Sequence, residues 1–455
     1  MIDKAVEAAD REETVMTERK DHSAAPPISR RGFLASTAAA GAALAVGGRA
    51  TYAAAADATL KIGFISPRTG ALAGFGEGDG YVLDTARKAL AKGLTVGGKT
   101  YAVTIIDQDT QSDPARAGQL AKDLINNQQI DMMLTTSTPE VVNPVADACE
   151  AGGVPCLSTI VPWEAFYFGR GAKPGQPSPF KWTYHFSFGT EEFAKTYLSM
   201  WGKGDVPNNK KIGVLYPNDA DGNAIRANLA PLLAKGGYTI VDPGPYEDGT
   251  TDYSAQIARF KSAGVQILTG VPLPNDFITF LRQAAQQGLV HRLKICMPAK
   301  FGLFPSDIEA VGNLGNRIAT ACYWHPTFPY KSSLTGLSGQ ELGDGYTAAT
   351  GKQWQQQLGA SMALLDGGFA ALAAATDPKD KAGLAKALST LNTVTMVGKV
   401  DFTSGPVPNV SAAPIIGAQW VNAAPGSKFK LDLVICDNAP DPNVPIAAKL
   451  QPYNA

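Results

Sequence analysis

Two clusters of hydroxyl side chains are the parts of this sequence best suited to chemistry. Thr136, Ser137 and Thr138 stand between a short apolar run and a proline, and Ser158 and Thr159 end the next apolar run. Hydroxyls and free backbone N–H groups at a helix start bind anions, because the helix dipole adds positive potential there. The pattern predicts a carboxylate site with both clusters as donors. Ser and Thr also cap helices, so N-capping is an alternative that can hold at the same time.

The elements around these clusters alternate between strand and helix. Apolar runs of strand length, such as 130–134 and 154–158, are separated by amphipathic stretches of helix length, such as 140–150. The alternation restarts at residue 210 and continues to residue 324. This order predicts an α/β protein with parallel sheets covered on both faces, arranged as two doubly wound, Rossmann-like lobes. A long loop is predicted over 161–180.

The length after residue 56, about 400 residues, is too great for one hydrophobic core and suits two lobes. The later, mostly helical part cannot form a third domain, so we expect it to complete both lobes. The predicted boundaries are listed in chain order: 57–186 plus 325–397 for lobe 1, 187–324 plus 398–440 for lobe 2, and 441–455 for a C-terminal tail.

Residues 1–56 have the parts of an export signal. Arg30 and Arg31 precede the apolar run Phe33–Val46, and four alanines at 53–56 suit a cleavage site. Paired arginines are typical of the bacterial twin-arginine (Tat) signal peptide. An arginine pair before an ordinary alanine-rich helix is the alternative. Since no cysteine stands at the cleavage region, the sequence favours a free periplasmic protein over a lipid-anchored one.

Charge and motifs exclude several classes of function. The formal net charge is −1, without basic clusters, which argues against nucleic acid or an anionic membrane as partner. No apolar run after residue 56 approaches a membrane span, so no direct membrane insertion of the mature chain is expected. The glycines at 74–80 do not match a dinucleotide loop, and metal-binding and nucleophile-elbow motifs are missing from the sequence. We therefore predict no cofactor, no metal and no enzyme activity.

The five cysteines leave the disulfide pattern open. Cys149 and Cys156 are close in sequence at the end of a predicted helix and the start of the next strand. Cys296 and Cys322 lie on successive predicted strands. Each pair could form a disulfide in an oxidising compartment, whereas the alternative is that all five are small buried hydrophobic residues.

Several short segments, in order along the chain, resemble one family. They are KIGFISPRTG at 61–70, DQDTQSDP at 107–114, FLRQA at 280–284 and GKVDF at 398–402. Together they resemble type I periplasmic binding proteins of the leucine/isoleucine/valine-binding group. The resemblance implies two lobes joined by three crossovers, which close on a small solute and deliver it to an inner-membrane ABC permease.

The resemblance also assigns roles to residues. It implies that the two hydroxyl clusters hold the ligand's α-carboxylate and amino group, and that Phe75 in the first loop covers the ligand. We expect Trp163, on the loop after Thr159, and Tyr216, at the end of a strand of lobe 2, to supply further aromatic walls. For each of these aromatic residues, ordinary core packing is the alternative.

Two positions differ from the family pattern, and both change the ligand that is expected. Amino-acid binders of the family hold the ligand's ammonium with a carboxylate where this chain has Lys300, and Asp221 stands near a position where the family often has a tyrosine. A lysine attracts acids and repels an ammonium. The hypothesis is a carboxylate ligand with an apolar or aromatic body and with Lys300 facing it. An exposed Lys300 without a role in binding is the alternative.

The sequence thus favours a periplasmic solute-binding component of an ABC importer. A periplasmic ligand-sensing regulator on the same fold is a second interpretation, and a Tat-exported hydrolase is a third. Fold alone does not separate these classes.

Overall fold

The computed structural model describes residues 58–453 of the chain, so the predicted twin-arginine signal at 1–56 lies outside the described residues. The first lobe is built on a seven-stranded sheet in the order β14-β6-β5-β4-β1-β3-β2, parallel except for the pair β2–β3. Its strands are β1 (Ala58–Ser66), β2 (Leu94–Val96), β3 (Lys99–Asp109), β4 (Met132–Thr136), β5 (Cys156–Thr159), β6 (Thr183–Ser187) and β14 (Val410–Ala412).

Helices cover this sheet on both faces. The first series is α1 (Asp79–Ala89), α2 (Pro114–Asn126), α3 (Pro139–Gly152) and α4 (Trp163–Tyr167). A later segment adds α10 (Gly339–Thr350), α11 (Gln356–Ala374), α12 (Lys381–Ser389) and the hairpin β12 (Asn392–Thr395) and β13 (Gly398–Asp401). All five residues of β4 are buried, as expected for a central strand of a covered parallel sheet.

The second lobe contains two smaller sheets. The parallel one has the order β10-β9-β7-β8, and the antiparallel one has the order β11-β15-β16. The strands are β7 (Lys211–Leu215), β8 (Thr239–Val241), β9 (Ile267–Gly270), β10 (Ile295–Pro298), β11 (Ala319–Cys322), β15 (Ile416–Asn422) and β16 (Leu431–Asp437). The helices are α5 (Thr190–Gly202), α6 (Ala220–Lys235), α7 (Ser254–Ala263), α8 (Pro274–Gln286) and α9 (Pro305–Ala310). Short 3₁₀ helices lie at Ala73–Phe75, Val290–Arg292, Phe301–Leu303 and Gly312–Gly315.

The chain passes between the lobes three times: after β6, after β11, and between β14 and β15. The fold class predicted from the sequence is confirmed. The predicted boundary at residue 398 is wrong in one respect, because β13 pairs with β12 and β14 pairs with β6, so that 398–412 belongs to the first lobe. The last crossover is therefore at 413–415. The C-terminal segment packs on the second lobe, where the Tyr453 N–H donates to the Lys294 carbonyl.

The predicted loop at 161–180 contains the short helix α4 and is tightly fastened. The Arg170 guanidinium lies over the rings of Phe166 and Phe180, at 4.6 and 4.2 Å from their centroids, and pairs with Asp147 at 2.7 Å. These contacts fix the segment that leads from β5 to β6. Sequence periodicity did not indicate either α4 or β6, since each has only five residues.

All five cysteines are buried free thiols. Neither the Cys149–Cys156 nor the Cys296–Cys322 bridge is present in the structure. Burial raises the pKa of the Cys149 thiol, and the neighbouring Cys156 raises it further. The cysteines are thus small hydrophobic core residues.

One described helix, α11, is long and apolar enough to cross a membrane by length and composition, contrary to the expectation that no such run follows residue 56. In the structure 83% of its apolar window is buried inside the protein. It packs against α1 and the strands β4 and β5. The helix therefore serves as the core helix of the first lobe.

A buried carboxylate in α1 gives a testable pH dependence. Asp79 is fully buried and accepts a 2.6 Å hydrogen bond from Ser361. Burial raises its pKa to about 6, although the hydrogen bond from Ser361 lowers it. The folded protein therefore binds this proton more tightly than the unfolded chain, and the resulting stability, complete below pH ~4, is lost as the pH rises through 6.

We expect Asp79→Asn to increase the free energy of unfolding by about 3 kcal/mol more at pH 8 than at pH 4, because the amide carries no charge to bury. Urea unfolding of both proteins at the two pH values measures this difference. Asp84→Asn, on an exposed position of the same helix, is the control. Equal effects of Asp79→Asn at both pH values would contradict the prediction.

Candidate functional site

A small cavity lies between the two lobes, where loops at the carboxyl ends of parallel strands meet, as expected for a ligand site in this architecture. The volume open to the centres of water-sized spheres is about 40 Å³. By the same measure one water molecule needs ~10–15 Å³, so the cavity is a few times larger than the space for one water. The first lobe contributes Phe75, Ser137, Thr138, Ile160, Val161 and Pro162. The crossovers contribute Phe188, Tyr323 and Ile415, and the second lobe Phe193, Asp221, Val271, Ala299, Lys300, Leu303 and Ala321.

The polar end of the cavity on the first lobe is formed by Ser137 and Thr138, between β4 and α3. Both are buried, with 1% and 2% of their surface exposed, and neither hydroxyl has a hydrogen-bond partner among the described residues. Thr138 is the N-cap residue of α3, yet its side chain makes no capping bond. Ser137 has φ 136°, a strained backbone for a residue with a side chain. The capping alternative is therefore not realised, and both hydroxyls are free to donate to a ligand at a helix N-terminus.

The other predicted hydroxyl residues point elsewhere. Thr136 pairs with Thr159 in the sheet. The Thr159 hydroxyl donates to the Phe186 carbonyl at 2.7 Å, and Ser158 Oγ lies 2.8 Å from Nδ1 of His185. The side chains of Thr136, Ser158 and Thr159 do not line the cavity between the lobes. They connect β4, β5 and β6 and hold the cavity loops in place.

The contact between Ser158 and His185 has the residue types of a hydrolase, but its surroundings do not suit catalysis. His185 Nε2 lies 2.8 Å from the Val161 carbonyl, so Nε2 carries the proton and Nδ1 accepts from Ser158. Burial lowers the pKa of His185 to about 3, and both side chains are completely inaccessible. The pair fastens β5 to β6 and has no access to a substrate.

The polar end on the second lobe is an ion cluster of one lysine and two aspartates. Lys300 Nζ lies 2.9 Å from Asp221 Oδ2 and 3.4 Å from Asp219 Oδ2, and all three side chains are at most 10% exposed. Asp221 Oδ1 has no partner among the residues that the structure describes. Burial raises the pKa of Asp221, against the effect of Lys300. Burial lowers the pKa of Lys300, whereas the two aspartates raise it. The effect of the aspartates is larger, so the Lys300 ammonium group stays charged.

This geometry changes the role expected for Lys300. Lys300 lines the cavity, as the sequence suggested, but its ammonium group is already paired with two carboxyl groups. The cluster holds two carboxyl groups for one ammonium group, and Glu140 on α3 contributes to the raised pKa of Asp221. Asp221 Oδ1, which has no partner among the described residues, is therefore available as an acceptor.

Of the aromatic residues predicted to line the cleft, only Phe75 does so. It packs edge-on against Phe304, with ring centroids 5.0 Å apart, and so joins the two lobes at one side of the cavity. Trp163 lies on α4 against Phe168, outside the cavity, and Tyr216 is buried beneath it in the second lobe.

Sequence reasoning missed three aromatic cavity residues, Phe188, Phe193 and Tyr323. Phe188 and Tyr323 stand in crossovers, outside any periodic element. The Phe-Gly pair at 188–189, directly before a helical pattern, was the one available signal.

Comparison with known proteins shows the family to which the chain belongs. The family model described as periplasmic binding protein matches residues 59–409 of the chain. The chain belongs to the periplasmic binding protein family. It is similar to Leu/Ile/Val-binding protein homolog 8 of Brucella abortus, with 25% identity over 256 residues, which is 54% of this chain and 60% of that protein. The chain thus aligns with only about three fifths of the length of this curated relative.

Two solved structures show the same fold. One is the branched-chain amino acid transporter substrate binding protein LivJ from Streptococcus pneumoniae in complex with isoleucine, with 16% identity, a TM-score of 0.61, and coverage of 83% of this chain and 99% of that one. The other is a solute binding protein of an ABC transporter from R. palustris in complex with 4-hydroxybenzoate, with 16% identity, a TM-score of 0.66, and coverage of 83% and 96%.

Proposed function

We propose that this periplasmic binding protein is the solute-binding component of an ABC importer and captures a small carboxylate with an apolar or aromatic body. The observation that carries the proposal is the pair of unpartnered, buried hydroxyls of Ser137 and Thr138 at the N-terminus of α3, on the first-lobe wall of a cavity lined mainly by apolar side chains. Two free donors beside a helix N-terminus suit an anion. The structurally similar proteins were solved with isoleucine and with 4-hydroxybenzoate, which are both carboxylates.

In this proposal the ligand bridges the lobes. Ser137 and Thr138 donate to its carboxylate, Phe75 packs against its body, and the free oxygen of Asp221 accepts from a donor at its other end. Lys300 acts on the ligand through Asp221, which it holds in place. Such a ligand stabilises the closed arrangement of the lobes, and the closed form is then recognised by a permease. Export through the twin-arginine route is part of the same proposal.

Binding of matched ligand pairs tests the proposed function. We expect leucine, isoleucine or a benzoate to bind with one-to-one stoichiometry in calorimetry, and to stabilise the protein by about 2.7 kcal/mol at a ligand concentration 100 times the Kd. Isoamylamine and phenol, which lack the carboxylate of leucine and 4-hydroxybenzoate, are the controls and should not bind. Binding of these controls without binding of any carboxylate would contradict the proposal.

A further inference from the structure

A second, smaller cavity lies directly behind the ligand cavity. Its volume is about 20 Å³ by the same measure, and its wall includes Ala360 of α11. The two cavities share three lining side chains, Ile160, Phe188 and Tyr323. These three residues, called the partition below, are the wall between the ligand cavity and the rear cavity.

The two rings of the partition come from different crossovers. Phe188 follows β6 and Tyr323 follows β11, and their rings stack with centroids 5.7 Å apart and planes 20° from parallel. Tyr323 is anchored, because its hydroxyl donates to Gln357 and its N–H donates to Gln356 at 3.0 Å. The Phe188 side chain carries no hydrogen-bonding group and packs edge-on against the ring of Phe193, with centroids 5.1 Å apart. Phe188 is therefore the member of the partition that can be reduced without leaving a buried polar group unpaired.

The third member is held in a strained conformation. Ile160 has φ 81°, which is an outlier for a β-branched residue. Its neighbours on both sides are fastened, since Thr159 donates to the Phe186 carbonyl and His185 donates to the Val161 carbonyl. Such strain persists only where the surroundings enforce it. The chain thus directs a branched apolar side chain into the wall between the two cavities.

We propose that the partition determines specificity by setting the depth of the ligand cavity, with Phe188 as the residue that excludes ligands with longer apolar bodies. The inference rests on the proposed function, because it assumes that the cavity takes the apolar body of a carboxylate. Since both rings lie on crossovers, the length limit is imposed by the segments about which the lobes move.

Two homologous series of ligands test this limit by calorimetry. One runs from benzoate through 4-methyl- and 4-ethylbenzoate to 4-propylbenzoate, and the other from 2-aminobutyrate through norvaline and norleucine to 2-aminoheptanoate. In the wild type we expect affinity to fall beyond a certain length. In Phe188→Ala the fall should come later in the series, with about a fourfold gain for each methylene that enters the rear cavity.

Three further variants make the test specific. Leu303→Ala enlarges the ligand cavity away from the partition and should not move the length limit. Ala360→Val, added to Phe188→Ala, refills the rear cavity from α11 and should restore the original limit. Phe188→Leu repeats the measurement with a smaller loss of packing if the alanine variant does not fold. An unchanged limit in the folded Phe188 variant, or an equal shift in Leu303→Ala, would overturn the proposal.

Different results would contradict carboxylate binding and the role of the partition. If the wild type binds no member of either series, the proposed function fails. The partition is then judged from crystals of the wild type and the Phe188 variant under xenon, which occupies apolar cavities. Xenon density that is continuous across both spaces in the variant alone supports the partition, and separate density in both proteins refutes it.

Discussion

Replacing Thr138 by valine is expected to weaken binding of the carboxylate ligand by about 10- to 100-fold, which corresponds to the loss of a hydrogen bond to a charged group. Valine has nearly the shape of threonine, and the extended backbone at Thr138, with φ −90° and ψ 166°, suits a β-branched residue. Because the hydroxyl makes no capping bond, α3 should lose little stability. Calorimetry measures the affinity, and thermal unfolding without ligand confirms that the fold is intact.

Thr136→Val is the matched control for this prediction. Thr136 is buried on the same segment, two residues away, but does not line the cavity. Its replacement should leave the affinity within a factor of about three. Thr136 does not line the ligand cavity, so its substitution should change the binding free energy by only a few tenths of a kcal/mol. If both variants bind like the wild type, the carboxylate is not held at the N-terminus of α3.

Replacing Lys300 by methionine is expected to destabilise the protein by about 3–5 kcal/mol at pH 7.5, because it leaves Asp219 and Asp221 as buried carboxylates without their cation. The loss should shrink at lower pH. Removal of Lys300 raises the pKa of Asp221 further, so the folded variant binds a proton more tightly than the unfolded chain does, and its stability decreases as the pH rises through that pKa. Urea unfolding at pH 5 and pH 7.5 measures both effects.

Lys352→Met provides the comparison for a surface lysine. Lys352 pairs with Glu77, but its side chain is 59% exposed, so its removal should cost at most about 1 kcal/mol. A Lys300→Met protein of unchanged stability that loses carboxylate affinity would show that Lys300 faces the ligand, as the sequence alone had suggested, and would refute the structural role argued from the cluster.

The lobes could be predicted from the sequence because their strands and helices are periodic and regular in length. The segment 136–138 was also predictable, since a helix N-terminus after a buried strand is a local feature. The edge strand β14 was assigned to the wrong lobe because its three residues carry too little pattern to show that they return to β6.

The ion cluster shows a different limit of sequence reasoning. Lys300 and Asp221 were both singled out, but their contact was not expected. Lys300 and Asp219 are 81 residues apart and meet only when β7 and β10 are placed in one sheet. The residue types showed which positions are charged. The net charge of the cluster depends on which of these side chains pair in the fold. The same holds for Phe188 and Tyr323, which become neighbours through two separate crossovers.

The core helix α11 bears on how such a protein can leave the cytoplasm. A chain that is threaded through a membrane channel in unfolded form presents its segments to lipid one after another, and Gln356–Ala374 has the length and composition to stay there. Once the first lobe has folded, 83% of that segment's apolar window is inside the protein and no longer available to lipid. Transport of the protein after folding would thus protect it from arrest in the membrane by its own core helix.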